Sequence, residues 1–160
     1  GTVSLLDNAN ITATNISTTK DKTGTLNLQG SSTITGIVGT VGTSSTLKLK
    51  EVKAGADSSN STFKDDVYAT TITNTGSGTI NFEKNLTATS ANIATGTVNF
   101  NTDNTSTTSS NIKFTDNGIA NLKTGLTGNI DFGGNASSTV NISDGKEITG
   151  KIDPATIIHT

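Results

Sequence analysis

The apolar residues of this chain are sparse, but they fall repeatedly into one short phrase of apolar, polar, apolar. Seven copies stand at Leu26/Leu28, Leu47/Leu49, Ile80/Phe82, Val98/Phe100, Ile112/Phe114, Ile130/Phe132 and Val140/Ile142. Most follow Thr or Gly, as in Gly24-Thr-Leu-Asn-Leu28, Gly78-Thr-Ile-Asn-Phe82 and Gly96-Thr-Val-Asn-Phe100. Successive side chains of a strand point to opposite faces, so a period of two in β-branched and aromatic residues predicts strands with one buried face. A second alternating element precedes several copies: Asn10 to Ile16, Tyr68 to Ile72, Asn85 to Ile93 and Gly118 to Leu122. No stretch of useful length carries a helical period. The best helical candidate, Ile119 to Leu126, is broken by Gly125.

Most copies follow one another at similar intervals, with one wide gap between Leu47 and Ile80 and one short step between Ile130 and Val140. A unit of about 20 residues that cannot close its own core is the pattern of a solenoid, in which each coil buries its apolar residues against the next. The fold expected is all-β, a right-handed parallel β-helix of about eight coils, a rod roughly 40 Å long at the strand spacing of about 4.8 Å. Residues 1–160 read as a single β-solenoid segment. The polar stretch 54–62, Ala-Gly-Ala-Asp-Ser-Ser-Asn-Ser-Thr, is expected to bulge from one coil and to account for the wide gap. Residues 101–110, without an apolar side chain, form either a thin coil face or a second loop.

Composition supports this reading. Thr, Asn, Ser and Gly supply 85 of the 160 residues, and only 15% are charged. So polar a chain approaches the disordered range, yet Leu, Ile, Val and Phe still number 36 and the net charge is only −2. A solenoid uses that apolar minority efficiently, because only its inward positions need to be apolar. All eleven cations are Lys, and with no Trp and one Tyr the chain lacks the arginine forks and aromatic platforms of a nucleic-acid binder. No apolar run is long enough to span a membrane. The absence of Cys removes disulfides and thiolate chemistry, and the absence of Met points to excision from a longer polypeptide.

Candidate chemistry is thin. His159 is the only histidine and has no partner at ligand spacing, and no Gly-x-Ser-x-Gly elbow occurs, so acyl transfer has no base or nucleophile. Asp65-Asp66 is the one adjacent carboxylate pair, but neighbours in a strand would face opposite ways. Asp131-Phe-Gly133 matches a kinase signature in letters alone, and Phe132 is already a core position. Gly133-Gly-Asn135 lacks the aspartate and the repetition of a calcium roll, while loops at Asp103 and Asp116 offer a weak calcium alternative. Seven Asn-x-Ser/Thr sequons, at Asn10, Asn15, Asn60, Asn85, Asn104, Asn135 and Asn141, follow from composition. No catalytic, metal-binding or cofactor-binding residue is assigned, no cofactor is expected, and the binding residues stay open.

The Gly-Thr-Val-Asn-Phe and Gly-Thr-Ile-Asn-Phe phrases, the string Ile34-Thr-Gly-Ile-Val-Gly-Thr-Val41 and the Arg-free, Asn/Thr/Gly-rich style of residues 10–150 resemble the passenger region of rickettsial surface cell antigens. These are autotransporter outer-membrane proteins. The resemblance implies a surface-exposed structural and adhesive passenger, displayed on or released from a bacterial surface and used in attachment to or entry of host cells. Its partners would be a host-cell surface protein or glycan, and neighbouring passenger coils would continue the rod. Two alternatives carry other functions. One is an ice-binding Thr ladder, suggested by Thr12-Ala-Thr14, Thr33-Ile-Thr35, Thr71-Ile-Thr73 and Thr87-Ala-Thr89, although these pairs are unevenly spaced along the chain. The other is a carbohydrate-active β-helix enzyme.

Overall fold

The computed structural model describes residues 1–41, 46–100, 107–135 and 137–153. The strands are β1 (Thr2–Leu5), β2 (Ile11–Ile16), β3 (Thr23–Leu28), β4 (Ser32–Val38), β5 (Thr40–Val41), β6 (Thr46–Leu47), β7 (Leu49–Ala54), β8 (Asn60–Phe63), β9 (Val67–Asn74), β10 (Thr79–Phe82), β11 (Leu86–Ile93), β12 (Thr97–Phe100), β13 (Thr108–Phe114), β14 (Ile119–Leu122), β15 (Leu126–Thr127), β16 (Ile130–Asp131), β17 (Thr139–Ile142), β18 (Ile148–Thr149) and β19 (Ile152–Asp153). All but β5 and β6 join one sheet, and its pairings are parallel between strands one coil apart. The molecule is a parallel β-solenoid.

One side of each coil is built by β8, β10, β12, β14 and β17, stacked in that order. The rest is built by β1, β3, β7, β9, β11 and β13, continued by the short pairs β15/β16 and β18/β19. Strands β2 and β4 bend across the corner between these parts, since Ile34 of β4 pairs with Phe63 of β8 and Val38 with Val67 of β9. The register between β11 and β13 shifts between Thr87 and Ser90, so the long strands turn a corner there. In the next coil the same path is split into β15 and β16.

Following one inward column gives the number of turns. Val3, Leu26, Val52, Ile72, Ala91, Ile112, Ile130 and Ile152 are successive register partners, which makes seven steps, or about 34 Å of rod at about 4.8 Å per step. The eight members and seven turns of this column agree with the expected solenoid of about eight coils. The steps are uneven in chain length: Ile112 to Ile130 is the shortest, and Leu26 to Val52 is the longest because it contains the antiparallel hairpin of β5 and β6, which lies outside the main sheet.

That hairpin corrects the expected loop at 54–62. Ala54 ends β7 and Asn60 begins β8, so only a tight corner remains between them, closed by the Ser59 N–H donating to the Ala56 carbonyl (3.0 Å). Ser59 and Ser61 are buried. The wide gap between copies has a different origin. Leu47 lies in the hairpin and Leu49 pairs with Thr23, whereas Leu26 pairs with Val52, so Leu47/Leu49 is not a further copy of the Leu26/Leu28 position.

The remaining copies of the phrase belong to inward columns but divide between two sides of the coil. Ile80/Phe82, Val98/Phe100 and Val140/Ile142 lie on the β10 side, and Leu26/Leu28, Ile112/Phe114 and Ile130/Phe132 on the other. Their uneven spacing along the chain is the sum of two regular series. Inside, Phe63, Phe82 and Phe100 form a stack with ring centroids 5.2 and 6.0 Å apart, and Phe114 stacks on Phe132 at 5.3 Å. Stacked like residues let a chain this polar assemble a continuous dry core, from Leu26 and Leu28 through to Leu126 and Ile130.

Phe100→Ala removes a ring with no solvent exposure from the end of that stack and is expected to cost about 3–5 kcal/mol. Thr97→Ala, on the outward side of the same strand, should stay within about 1 kcal/mol. Hydrogen exchange of β10, β12 and β14 amides in the two variants measures the difference locally, as a rod stabilised between neighbouring coils requires.

Candidate binding face

Because Ile80, Val98 and Val140 belong to an inward column, the Thr and Asn that alternate with them point outward, and the register places them in two straight files. One file is Asn60, Thr79, Thr97, Ile119 and Thr139; the other is Thr62, Asn81, Asn99, Asn121 and Asn141. No register shift interrupts either file across five coils. Neighbours are about 4.8 Å apart along the rod and about 6.7 Å apart along a strand. The five strands contain no charged side chain; charge begins just beyond their ends, at Lys64, Glu83 and Lys123.

The asparagine file is cross-linked along its length. The Nδ2 of Asn99 donates to Oδ1 of Asn81 (2.7 Å), Asn121 to Asn99 (2.7 Å) and Asn141 to Asn121 (2.8 Å), and at the foot of the file Asn81 reaches diagonally to Asn60 (2.6 Å). Every donation runs toward the earlier coil, so the amides form a polarised chain. The ladder also fixes the outward side chains, which lowers the entropy that binding to this face would have to remove.

The entry to these strands explains the glycine in the Gly-Thr-apolar-Asn-apolar phrase. Gly78, Gly96 and Gly118 stack at one corner, and a Cβ on Gly96 would collide with the Gly78 carbonyl and approach the Asn74 amide to 2.7 Å. Asn74, buried in the core, braces this corner. Its Nδ2 donates to the carbonyls of Gly55 (3.2 Å) and Gly78 (3.4 Å), and its Oδ1 accepts from the N–H groups of Ala94 (3.1 Å) and Gly96 (3.3 Å). One side chain thus serves four main-chain groups over adjacent coils, a role that only its polarity within an apolar sequence context hints at.

The carboxylates singled out in the sequence serve corners. Asp65 and Asp66 lie between β8 and β9, not within a strand. Asp65 accepts from the Gly36 N–H (2.9 Å) one coil back, and Asp66 accepts from the N–H (3.1 Å) and Nδ2 (2.9 Å) of Asn85 one coil on. The pair is divided between two neighbouring coils. Asp116 caps its own turn by accepting from the Asn117 N–H (2.8 Å), and Asp131 accepts from the Gly133 N–H (2.7 Å). Among the described residues no three His, Cys, Asp or Glu side chains gather as metal ligands. His159, Asp103 and Asn104 lie outside the described residues. Asn10, Asn60, Asn85 and Asn141 use their side chains within the structure, in corners or in the ladder.

The Thr pairs proposed from the sequence do not share a face. Thr12 pairs with Thr35 and Thr33 with Thr62, but Thr71 lies between Glu51 and Ser90, and Thr73 between Lys53 and Asn92. Thr87 belongs to a separate hydroxyl file with Ser109, Thr127 and Thr149. The regular array is instead formed by the Thr-apolar-Asn phrases, whose outward residues the sequence displays but whose shared face only the coil register reveals. The chain matches no protein-family model, no curated protein and no solved structure.

The corner chemistry has an optical readout. Tyr68, the single tyrosine, donates its hydroxyl to Asp66 (3.1 Å); partial burial, then the Asp66 charge and this bond, push its pKa above the ordinary value. The raised value adds stability that is present below the ordinary tyrosine pKa and lost as pH rises through the folded one. Phenolate absorbance should titrate above the free-tyrosine range and move back toward it in Asp66→Asn. A free-tyrosine midpoint in the parent protein would show that the corner is not closed as described.

Proposed function

We propose that this chain is a non-enzymatic binding rod whose outward Thr/Asn face engages ice or ordered interfacial water. The observation that carries this reading is the register of the two files: a rigid, uncharged, two-dimensional array of hydroxyls, methyls and amides over five coils. An ordered surface can be matched only by a repeating one, and repetition here follows directly from the stacking of parallel coils. Of the Thr residues whose uneven spacing argues against such a face in the sequence, Thr33 adjoins the array beside Thr62, while Thr71, Thr73 and Thr87 stack in other files.

The test is ice-growth inhibition and ice shaping by the purified chain. Thr79→Lys/Thr97→Lys should abolish both, because two bulky charges break the array, while Ser109→Lys, exposed on a different file, should leave them intact. Unmodified ice growth with the parent protein, or equal loss in both variants, would overturn the reading.

A second reading, the adhesive passenger of a bacterial surface protein, is favoured by the β5/β6 hairpin. It branches from an otherwise regular rod, as a contact loop on a spacer would. Replacing the hairpin with a short turn should reduce attachment to host cells under this reading and leave ice activity unchanged under the first.

A further inference from the structure

Beside Asn60 and Thr62 the flat Thr/Asn array gives way to a recess. Toward the earlier coils Asn60 is followed by Ser31 and then Asn8, and Thr62 by Thr33 and then Asn10. Ser31 is the short member between two asparagines. Its Oγ turns toward β8 and accepts from the Asn60 N–H (3.0 Å), so a gap opens between Asn8 and Asn60, two coil steps or about 9.6 Å apart. The result is a pocket of about 340 Å³ lined only by Asn, Ser and Thr. Small-molecule sites run from roughly 300 to 1,000 Å³, so this one suits a single small unit. It lies between neighbouring coils and opens on the side of the rod, through the outward residues of β4 and β8, so it does not depend on what stands at either end.

The earlier wall is held by Asp7. Its carboxylate accepts from the N–H groups of Asn8 (3.0 Å) and Ser31 (2.8 Å) and from the Nδ2 of Asn8 (3.1 Å). It packs so closely on Gly30 that a Cβ there would come within 2.5 Å of its Oδ1. Asn8 can stand in this place because asparagine tolerates the left-handed backbone, here with φ at 59°.

The hydrogen-bonding groups left over define the ligand. Each of three amides is fixed by one bond and keeps its other end without a partner among the described residues. Asn8 gives its Nδ2 to Asp7 and keeps Oδ1. Asn10 accepts from the Thr33 N–H (2.7 Å) and Asn60 from Asn81 (2.6 Å), and both keep Nδ2. The recess thus offers two amide donors, one amide acceptor and the Thr33 hydroxyl, which can act either way. None of its lining residues is charged. An anion placed here would face the Asn8 oxygen, and a cation would face two amide NH₂ groups. A neutral sugar presents donors and acceptors together on adjacent hydroxyls and satisfies the whole set. Because the amides are already held, binding has little side-chain entropy to remove.

We propose that this recess binds one residue of a neutral glycan, with Asn10 and Asn60 donating to its hydroxyl oxygens and Asn8 accepting from a hydroxyl. The inference is independent of whether the array beside it binds ice.

The test is a titration of the isotope-labelled protein with glucose, galactose, mannose and N-acetylglucosamine, followed through the side-chain amide resonances. At least one sugar should shift the Asn8, Asn10 and Asn60 signals together and leave those of Asn121 and Asn141 in place. Ser31→Leu, checked for unchanged circular dichroism, fills the gap and should abolish the response, while Ser109→Leu, exposed on a separate file, should leave it intact. If Ser31→Leu does not fold, Asn10→Asp keeps the acceptor for Thr33 and removes a ligand donor, and it should weaken binding about tenfold. Ser31→Leu should leave ice shaping unchanged, because Thr79 and Thr97 keep their places, and the titration reads the sugar site whether or not the parent protein shapes ice. No shift with any of the four sugars, shifts spread along the whole rod, a stronger response to sodium sulfate or calcium chloride, or equal loss in Ser31→Leu and Ser109→Leu would overturn the proposal.

Discussion

Along the middle strands of the main sheet, residues meet their counterparts one coil earlier and one coil later, and this in-register parallel contact is the constraint on which the other features rest. An inward side chain is packed by two near-copies of itself, so stacked phenylalanines, the β-branched columns and a few alanines suffice to exclude water from a chain that is 30% hydrophobic. The same contact aligns the outward side chains without any packing between them. Order on the Thr/Asn face is therefore a consequence of order in the core, and the amide ladder from Asn60 to Asn141 adds a second, polar, set of links between the same coils.

Corners are where such a rod is under most demand, since main-chain groups turn away from the sheet and must find other partners. The chain meets this with short polar side chains that reach one coil away. Asn10 accepts from Thr33, Asp57 from Ser77, Asp66 from Asn85, Asn85 from Thr107, Asn111 from Asn129, and Asn129 from Lys151. The abundance of Asn and Asp therefore has a mechanical explanation: they carry the ladder pattern around the bends. Asn74 does the same from inside the core, and its replacement by Leu would take the side-chain acceptor away from the N–H groups of Ala94 and Gly96.

Strand identity and the inward set were legible in the sequence because a period of two is a local signal. Coil phase was not. The phrase apolar-polar-apolar marks an inward pair on either side of the coil, so reading Val98/Phe100 and Ile112/Phe114 as successive copies merged two series that stack separately. For the same reason Leu47/Leu49 has the look of a coil although it belongs to a hairpin and a strand start, and the polar stretch 54–62 has the look of the insertion that β5/β6 supplies. The candidate face was written plainly in Thr79-Ile-Asn81, Thr97-Val-Asn99 and Thr139-Val-Asn141, but only register shows that these phrases adjoin, with Ile119-Ala-Asn121 between them. The Asn74 brace depends on contacts a full coil away in both directions, and no local pattern encodes it.

The most direct test of this in-register stacking is a set of distances along one outward file. Ser4, Asn27, Lys53, Thr73, Asn92, Lys113, Asp131 and Asp153 are successive register partners, and the cysteine-free chain allows spin labels to be placed on any two. Pulsed electron resonance should give narrow distributions that grow by about 4.8 Å per step, reaching about 24 Å for Ser4 with Lys113 and about 34 Å for Ser4 with Asp153. Broad distributions, or distances that fail to increase with the number of steps, would contradict the account.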